Sequence, residues 1–282
     1  MKNFTFSLVV SYLLILSSTS MAQSGGSGKK DFTLSVQTSL VIEKFDSTPD
    51  GFSSGDLKPP PLSVEGLMRQ THNSLFGSYY KIYGGFVAGT VPMFGLGAGV
   101  FFSLPIVELH LGGVFRAHDY INKTPYKDSQ FAYSGYGFEA GARFDLTLVE
   151  FGANFTYMDL GEANLANYEE LTTKIDHNPD YIYSAFVQSA LGLFKVKAAY
   201  THYIFGSTGI ASKEFAIHLP KAELNKIAVG VGVSLSAMEV WARVEQVEDP
   251  KDESSHFYQS PHFYPDYLLG KRTGFVEVKW SF

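Results

Sequence analysis

Apolar and polar residues alternate along several stretches of the chain. The stretch 32–42 (FTLSVQTSLVI) has a large apolar residue at almost every second position, and 227–235 (IAVGVGVSL) and 276–282 (VEVKWSF) repeat this pattern. Successive side chains of a β-strand point to opposite faces, so the period of two predicts strands. Each predicted strand has one apolar face and one face of polar or very small residues.

The same pattern over the whole chain predicts ten strands and an all-β fold. The predicted strands span 31–42, 94–103, 106–117, 132–145, 149–158, 181–193, 195–205, 225–235, 239–247 and 272–282. Short links alternate with long ones, the short links at 104–105, 146–148, 194 and 236–238 and the long links at 43–93, 118–131, 159–180, 206–224 and 248–271. Tight turns at one end and long loops at the other are typical of a transmembrane antiparallel up-and-down β-barrel.

One stretch leaves the number of strands open between eight and twelve. Residues 79–91 (YYKIYGGFVAGTV) are also compatible with a strand. Twelve strands result if this stretch pairs and a second segment, such as 213–219, joins it. We favour ten, because a separate strand at 79–91 places the long 118–131 link on the side of the short turns.

The last predicted strand carries a motif. It ends in VEVKWSF, with alternating hydrophobic residues up to Trp280 and Phe282, and other aromatic residues cluster near predicted strand ends, where headgroup regions favour them. In these features the chain resembles the bacterial outer-membrane β-barrel proteins, whose last strand commonly ends in an aromatic residue. The resemblance covers 31–282 in pattern. It implies contact with outer-membrane lipid and recognition of the last strand, with Trp280 and Phe282, by the barrel-assembly machinery.

A water-soluble sandwich or a lipocalin-like barrel is the alternative fold. Such proteins normally place their large apolar side chains inside. Here the face opposite to the apolar one carries many charges, and a dry sandwich core does not hold so many, because burying charge is costly unless it is paired.

The N-terminus predicts secretion. A positive start at Lys2 precedes an apolar stretch at 4–16, and Ser20-Met21-Ala22 forms a small-x-small cleavage site before Gln23. We therefore expect delivery to the bacterial outer membrane after cleavage. The predicted divisions are a signal peptide at 1–22, a flexible segment at 23–30 and a barrel domain at 31–282.

The predicted inner face carries seven acidic and seven basic candidates. Equal numbers of both signs in a narrow space favour an interior cross-linked by ion pairs, or a narrow channel with a mixed-charge constriction. The residues that we expect to line the lumen and set selectivity are Glu108, His110, Arg116, Glu139, Arg143, Glu150, Lys195, Lys197, Arg243 and Glu245.

Composition excludes several other classes of function. The chain has 22 Lys and Arg against 28 Asp and Glu and no basic run, so nucleic acid is not an expected partner. It has no cysteine, which excludes disulfide scaffolds, Cys-ligated metals and thiol nucleophiles. We expect no cofactor and assign no metal site.

The last long link repeats a cluster of aromatic and histidine residues. The two copies are His256-Phe257-Tyr258 and His262-Phe263-Tyr264. They are candidates for stacking on a sugar or another flat surface ligand, or for holding a transition metal, although the spacing identifies no further ligands. Packing as a loop cap is the simpler interpretation.

Three functions fit these patterns. The first is a porin-like channel for small solutes, and the second is a closed barrel that binds surface ligands, adheres or supports the envelope through its outer loops. The third is an outer-membrane hydrolase, for which Asp176-His177 and His118-Asp119 are the candidate pairs. We assign no catalytic residue, since no nucleophile motif marks a serine.

Overall fold

The computed structural model describes residues 29–43, 62–87, 91–121, 130–166, 174–211, 216–219, 221–248 and 271–282. Within these ranges the chain forms fifteen strands and no helix long and apolar enough to cross a membrane. The strands are β1 (Lys30–Glu43), β2 (Leu62–Thr71), β3 (Phe76–Val87), β4 (Val91–Ser103), β5 (Val107–Ile121), β6 (Gln130–Leu146), β7 (Val149–Ala166), β8 (Lys174–His177), β9 (Asp180–Leu191), β10 (Phe194–Phe205), β11 (Thr208–Ala211), β12 (Ala216–Leu219), β13 (Ala222–Leu235), β14 (Met238–Val247) and β15 (Arg272–Ser281).

Twelve strands close into one barrel. Their order follows the chain from β1 to β15, with β8, β11 and β12 left out, and β15 pairs with β1 to complete the circle. All of these pairings are antiparallel, so the barrel has the predicted up-and-down topology. The three short strands form a separate sheet in the order β12-β11-β8.

One end of the barrel has turns of two to four residues, and the other end has the longer links together with the three-residue link between β3 and β4. The tight turns lie at 72–75, 104–106, 147–148, 192–193 and 236–237. In the two-residue turns the first residue has a positive φ, at Thr147, Gly192 and Ser236. Such turns match the twist of antiparallel strands and bring them directly side by side. The start of β1 and the end of β15 lie at this same end.

Twelve strands lie at the upper limit of the predicted range, and the favoured count of ten missed a hairpin. The predicted long link at 43–93 contains β2 and β3, which pair with each other from Leu62 with Phe86 to Thr71 with Gly77. The stretch 79–91 therefore contributes to a strand, but its partner is not 213–219. One extra strand would move the 118–131 link to the side of the short turns, which was the objection to a strand at 79–91. Two extra strands within one link leave the 118–131 link on its predicted side, so the objection does not apply.

The barrel wall is apolar on the outside and polar within. On β13, Ile227, Val229 and Val231 are each more than half exposed, whereas Lys226 on the same strand is buried. The alternation of side chains produces this division directly. A lipocalin-like barrel has the opposite arrangement, so the water-soluble alternative is wrong.

The first and last strands join at the turn end of the barrel. Phe282 N donates to Phe32 O at 2.8 Å, and Phe32 N donates to Phe282 O at 3.2 Å. The rings of Phe32 and Phe282 lie 6.1 Å apart. Phe282 thus closes the seam between β1 and β15.

Candidate functional site

The ten predicted interior residues belong to five barrel strands. Glu108, His110 and Arg116 lie on β5, and the others lie at alternate positions of β6, β7, β10 and β14. Paired residues of neighbouring strands share a face, and the pairing of Glu108 with Arg143 places both on the inner side. Their role in selectivity stays a prediction.

Glu108 is the centre of one interior cluster. Arg69 Nη2 lies 2.5 Å from Glu108 Oε2, and Ser103 Oγ donates to the same oxygen at 3.3 Å. Arg143 Nη2 lies 3.8 Å from that oxygen, and Arg143 Nε lies 3.9 Å from Glu150 Oε1. One carboxylate thus joins β2, β4, β5 and β6 inside the barrel.

A second carboxylate, Glu139, is held from β3. Lys81 Nζ donates to both carboxylate oxygens of Glu139, at 3.2 and 3.0 Å, and Tyr79 OH donates at 2.9 Å. The His110 ring packs edge-on against Tyr79, with centroids 6.2 Å apart. The charge of Glu139 is therefore compensated by a partly buried lysine.

Sequence reasoning missed Arg69 and Lys81. Both lie within the predicted long link, so neither was assigned to the interior. A period-two pattern in Glu65, Leu67 and Arg69 was the available signal, but the apolar Leu67 obscured it. These two interior cations could be identified only once the pairing of β2 with β3 was known.

A second interior cluster is centred on Arg243 and lies on strands β13, β14, β15 and β1. Its Nε lies 2.9 Å from Glu245 Oε1, and its Nη1 lies 3.7 Å from Glu277 Oε2. Arg243 Nη2 donates to Gln37 Oε1 at 2.9 Å. Lys226 Nζ lies 3.0 Å from Glu245 Oε2. These contacts join β13, β14, β15 and β1 through one guanidinium and two carboxylates.

Two further groups complete the second cluster. Ser35 Oγ donates to Glu277 Oε1 at 2.5 Å, and Lys279 Nζ lies 3.4 Å from the same oxygen. Nearer the tight turns, Lys195 pairs with Glu239. Trp241 Nε1 also donates to Glu239, at 3.1 Å. The predicted cross-linking of the interior by ion pairs is present in both clusters.

Two interior cavities of about 250 Å³ each adjoin these clusters. The first is lined by Glu65, Leu67, Arg69, Tyr79, Lys81, Phe101, Glu108, His110, Glu139, Ala142, Arg143, Asn154 and Phe186. The second is lined by Gln188, Lys197, Ala199, Thr201, Lys226, Ala228, Gly230, Trp241, Arg243, Glu245, Glu277 and Lys279. The interior is thus partly filled by side chains and retains polar space.

The structure gives less about the other predicted site residues. The His256-Phe257-Tyr258 and His262-Phe263-Tyr264 clusters lie outside the described residues. Asp176-His177 lies on β8 of the separate sheet, whereas His118-Asp119 lies on barrel strand β5. Among the residues whose placement the structure gives, no group of three or more His, Asp or Glu side chains could hold a metal ion.

This architecture defines a class. The closed twelve-stranded barrel has apolar side chains outside and paired charges inside, and it is the fold of the bacterial outer-membrane β-barrels. The resemblance seen in the last strand is therefore confirmed at the level of the fold. No protein-family model matches the chain, and no curated protein matches it in sequence.

Particular solved structures share this fold. The COG4313 outer-membrane channel from Pseudomonas putida F1 superposes with a TM-score of 0.57 at 10% identity, over 92% of this chain and 97% of that one. A membrane protein from work on in-meso crystallization superposes with a TM-score of 0.50 at 10% identity, over 89% and 83% of the two chains. At such identities the likeness shows a common fold.

Proposed function

We propose that the protein is an outer-membrane channel for small polar solutes. The observation that carries the proposal is the pair of charge-lined cavities within a barrel whose outer wall is apolar. An outer-membrane channel is also among the structures that share the fold. The fold alone does not define a function, so the argument rests on the interior.

The outer wall supports a membrane location. Leu40, Leu111, Val187, Val231 and Val276 expose about half or more of their surface, and they belong to strands all around the barrel. Water does not favour a contiguous apolar surface of this kind, whereas lipid does. The predicted signal peptide at 1–22 supplies the route, and N-terminal sequencing of the mature protein tests cleavage before Gln23.

The interior supports selection by polarity. Carboxylates and cations lie side by side in pairs on the inner wall, so a passing solute meets both signs of charge. Polar solutes exchange their hydration for these groups, and apolar solutes cannot. Small size and polarity are therefore the properties that the lumen selects.

Conductance of the refolded protein tests the proposal. Protein whose folding is verified by heat-modifiable migration is added to a planar bilayer in KCl, and we expect discrete, reproducible current steps. Heat-denatured protein at the same concentration is the matched control. Liposomes that contain the folded protein should also swell faster in arabinose than in sucrose. Folded protein without current steps or swelling would contradict a channel function.

A second candidate is a surface-binding barrel that acts through its outer loops. Its support is the ordered sheet of β8, β11 and β12 at the end of the longer links. There Asn178 Nδ2 donates to Ser207 Oγ at 2.7 Å, and Gly206 N donates to the buried Asp180 Oδ1 at 2.8 Å. The link with the two predicted binding clusters, His256-Phe257-Tyr258 and His262-Phe263-Tyr264, is the part to delete. Deleting 250–268 should abolish surface binding while the barrel still folds. Binding that survives the deletion would remove this link from consideration.

A further inference from the structure

The second interior cavity carries more positive than negative charge. Four cationic side chains line it, Lys197, Lys226, Arg243 and Lys279, against two carboxylates, Glu245 and Glu277. The first cavity differs, because its three cations, Arg69, Lys81 and Arg143, face three carboxylates. The positive excess is thus local to one part of the lumen.

Lys197 supplies one of the two excess positive charges, and it differs from the other three cations in its contacts. Lys226, Arg243 and Lys279 each contact Glu245 or Glu277 within 3.4 Å. In the part of the chain that the structure describes, Lys197 forms no salt bridge, and its ammonium lies 4.7 Å from the centre of the Phe186 ring. Glu150 and Glu277 are carboxylates that act on Lys197 through space, and both contact arginine instead.

The surroundings of Lys197 leave room beside its ammonium. Across the sheet Lys197 pairs with Gly230, which pairs with Arg243 on the next strand. At about 4.8 Å between strands, the Lys197 and Arg243 backbones lie roughly 10 Å apart. Gly230 has no side chain, and the stem of Arg243 lies over it, since a Cβ there would be 3.3 Å from Arg243 Cβ and 3.5 Å from Arg243 Cγ. The room beside the Lys197 ammonium is therefore the cavity that Lys197, Gly230 and Arg243 line together.

Two uncharged polar residues flank the same space. Gln188 is the partner of Lys197 on β9, and Thr201 lies on the same face of β10. Both line the cavity, and neither side chain makes a hydrogen bond within the described ranges. An ammonium and an amide thus lie on neighbouring strands of one cavity, and the Thr201 hydroxyl lines the same cavity four residues further along β10.

We propose that this cavity is a binding site for the carboxylate or phosphate group of a small anionic solute, with Lys197 as its anchor. The proposal rests on the channel function and adds the class of solute. Lys197 makes a charge-assisted hydrogen bond to the oxyanion, and Gln188, its partner on β9, donates to a second oxygen.

Block of the channel by inorganic phosphate tests the site, with succinate as the carboxylate probe. In wild-type protein, each probe should lower the single-channel KCl current in a saturable way. Lys197→Gln should raise the half-blocking concentration of both probes about tenfold, the factor for one lost charged hydrogen bond. Lys221→Gln is the control, since it removes the same charge from an exposed position outside the cavity. It should change the half-blocking concentration less than twofold.

Equal shifts in the two variants would overturn the proposal, because net charge alone would then explain the block. Open wild-type channels that neither probe blocks would also overturn it, while the channel function would stand. Block by phosphate without block by succinate would restrict the site to phosphate groups and would contradict the carboxylate part.

Tryptophan fluorescence tests the site without any current. Trp241 lines the cavity, and in the Trp280→Phe background it is the single tryptophan of the chain. Iodide should quench Trp241 several-fold more efficiently in this background than after the added Lys197→Gln change, whereas neutral acrylamide should quench both alike. Preferential iodide quenching in a protein that passes no current would refute the channel and support the site. Equal iodide quenching would refute the site.

Discussion

At the scale of single residues, one buried charge in the interior compensates more than one partner of opposite sign. Glu245 is more than nine-tenths buried and contacts both Lys226 and Arg243. Removing one partner of a buried pair leaves an uncompensated charge, which costs more free energy than the pair itself contributes. Glu245 therefore compensates the charges of two cations at once.

We expect Glu245→Leu to lower the free energy of unfolding by about 3 kcal/mol, because Lys226 and Arg243 lose their common carboxylate. Denaturant titration of the barrel refolded in detergent measures the change. Glu43→Gln is the control, since Glu43 is a half-exposed partner of Arg272 and Lys271 and should cost at most about 1 kcal/mol. Equal losses in the two variants would contradict the buried network.

Val231 tests the outer wall at the same scale. It lies on β13 with 57% of its surface exposed. If it faces the middle of the bilayer, Val231→Arg should oppose insertion by roughly 2–4 kcal/mol. Folding titrations in lipid vesicles give this value, and Val231→Leu, which keeps the site apolar, should leave insertion nearly unchanged. Arginine that inserts as well as leucine would place Val231 outside the bilayer.

At the scale of strands, the success of sequence-based prediction follows the regularity of the alternation. β14, Met238–Val247, differs by one residue from its predicted start, because charges at Glu239, Arg243 and Glu245 mark one face and Val240, Ala242 and Val244 the other. β2 escaped prediction because Gly66 faces outward and Leu67 faces inward, the reverse of the usual order. The interior residues on regular strands were predictable. Their partners were not, since these depend on register across strands distant in sequence.

The last strand carries an assembly prediction. Phe282 bonds through its backbone to Phe32 and closes the seam. Deleting Phe282 should reduce the amount of folded protein in the outer membrane, if the terminal strand is the signal that the assembly machinery reads. Immunoblots of membrane fractions measure it, and Phe282→Tyr, which keeps the aromatic ring, is the control. Normal levels after the deletion would reject this role.

At the scale of the whole molecule, we expect the balance of interior charge to decide which ions pass. Arg69 and Lys81 neutralise Glu108 and Glu139 from the hairpin β2–β3. The double change Arg69→Gln with Lys81→Gln should shift the reversal potential in a KCl gradient toward cation selectivity, since two carboxylates lose their counter-charges. Lys29→Gln with Lys221→Gln removes two exposed cations and should shift it much less. An equal shift would assign selectivity to overall charge.

The closure between β1 and β15 has a consequence for how the barrel forms. Thr33 pairs with Ser281, which joins residues separated by nearly the whole described chain, whereas the other barrel pairings join strands close in sequence. Bringing such distant segments together costs the most chain entropy, so this pairing is expected to form last. Until it forms, the sheet has two unpaired edges that can join other chains. The pairing of β1 with β15 thus completes the barrel and, in the same step, removes the edges through which it could aggregate.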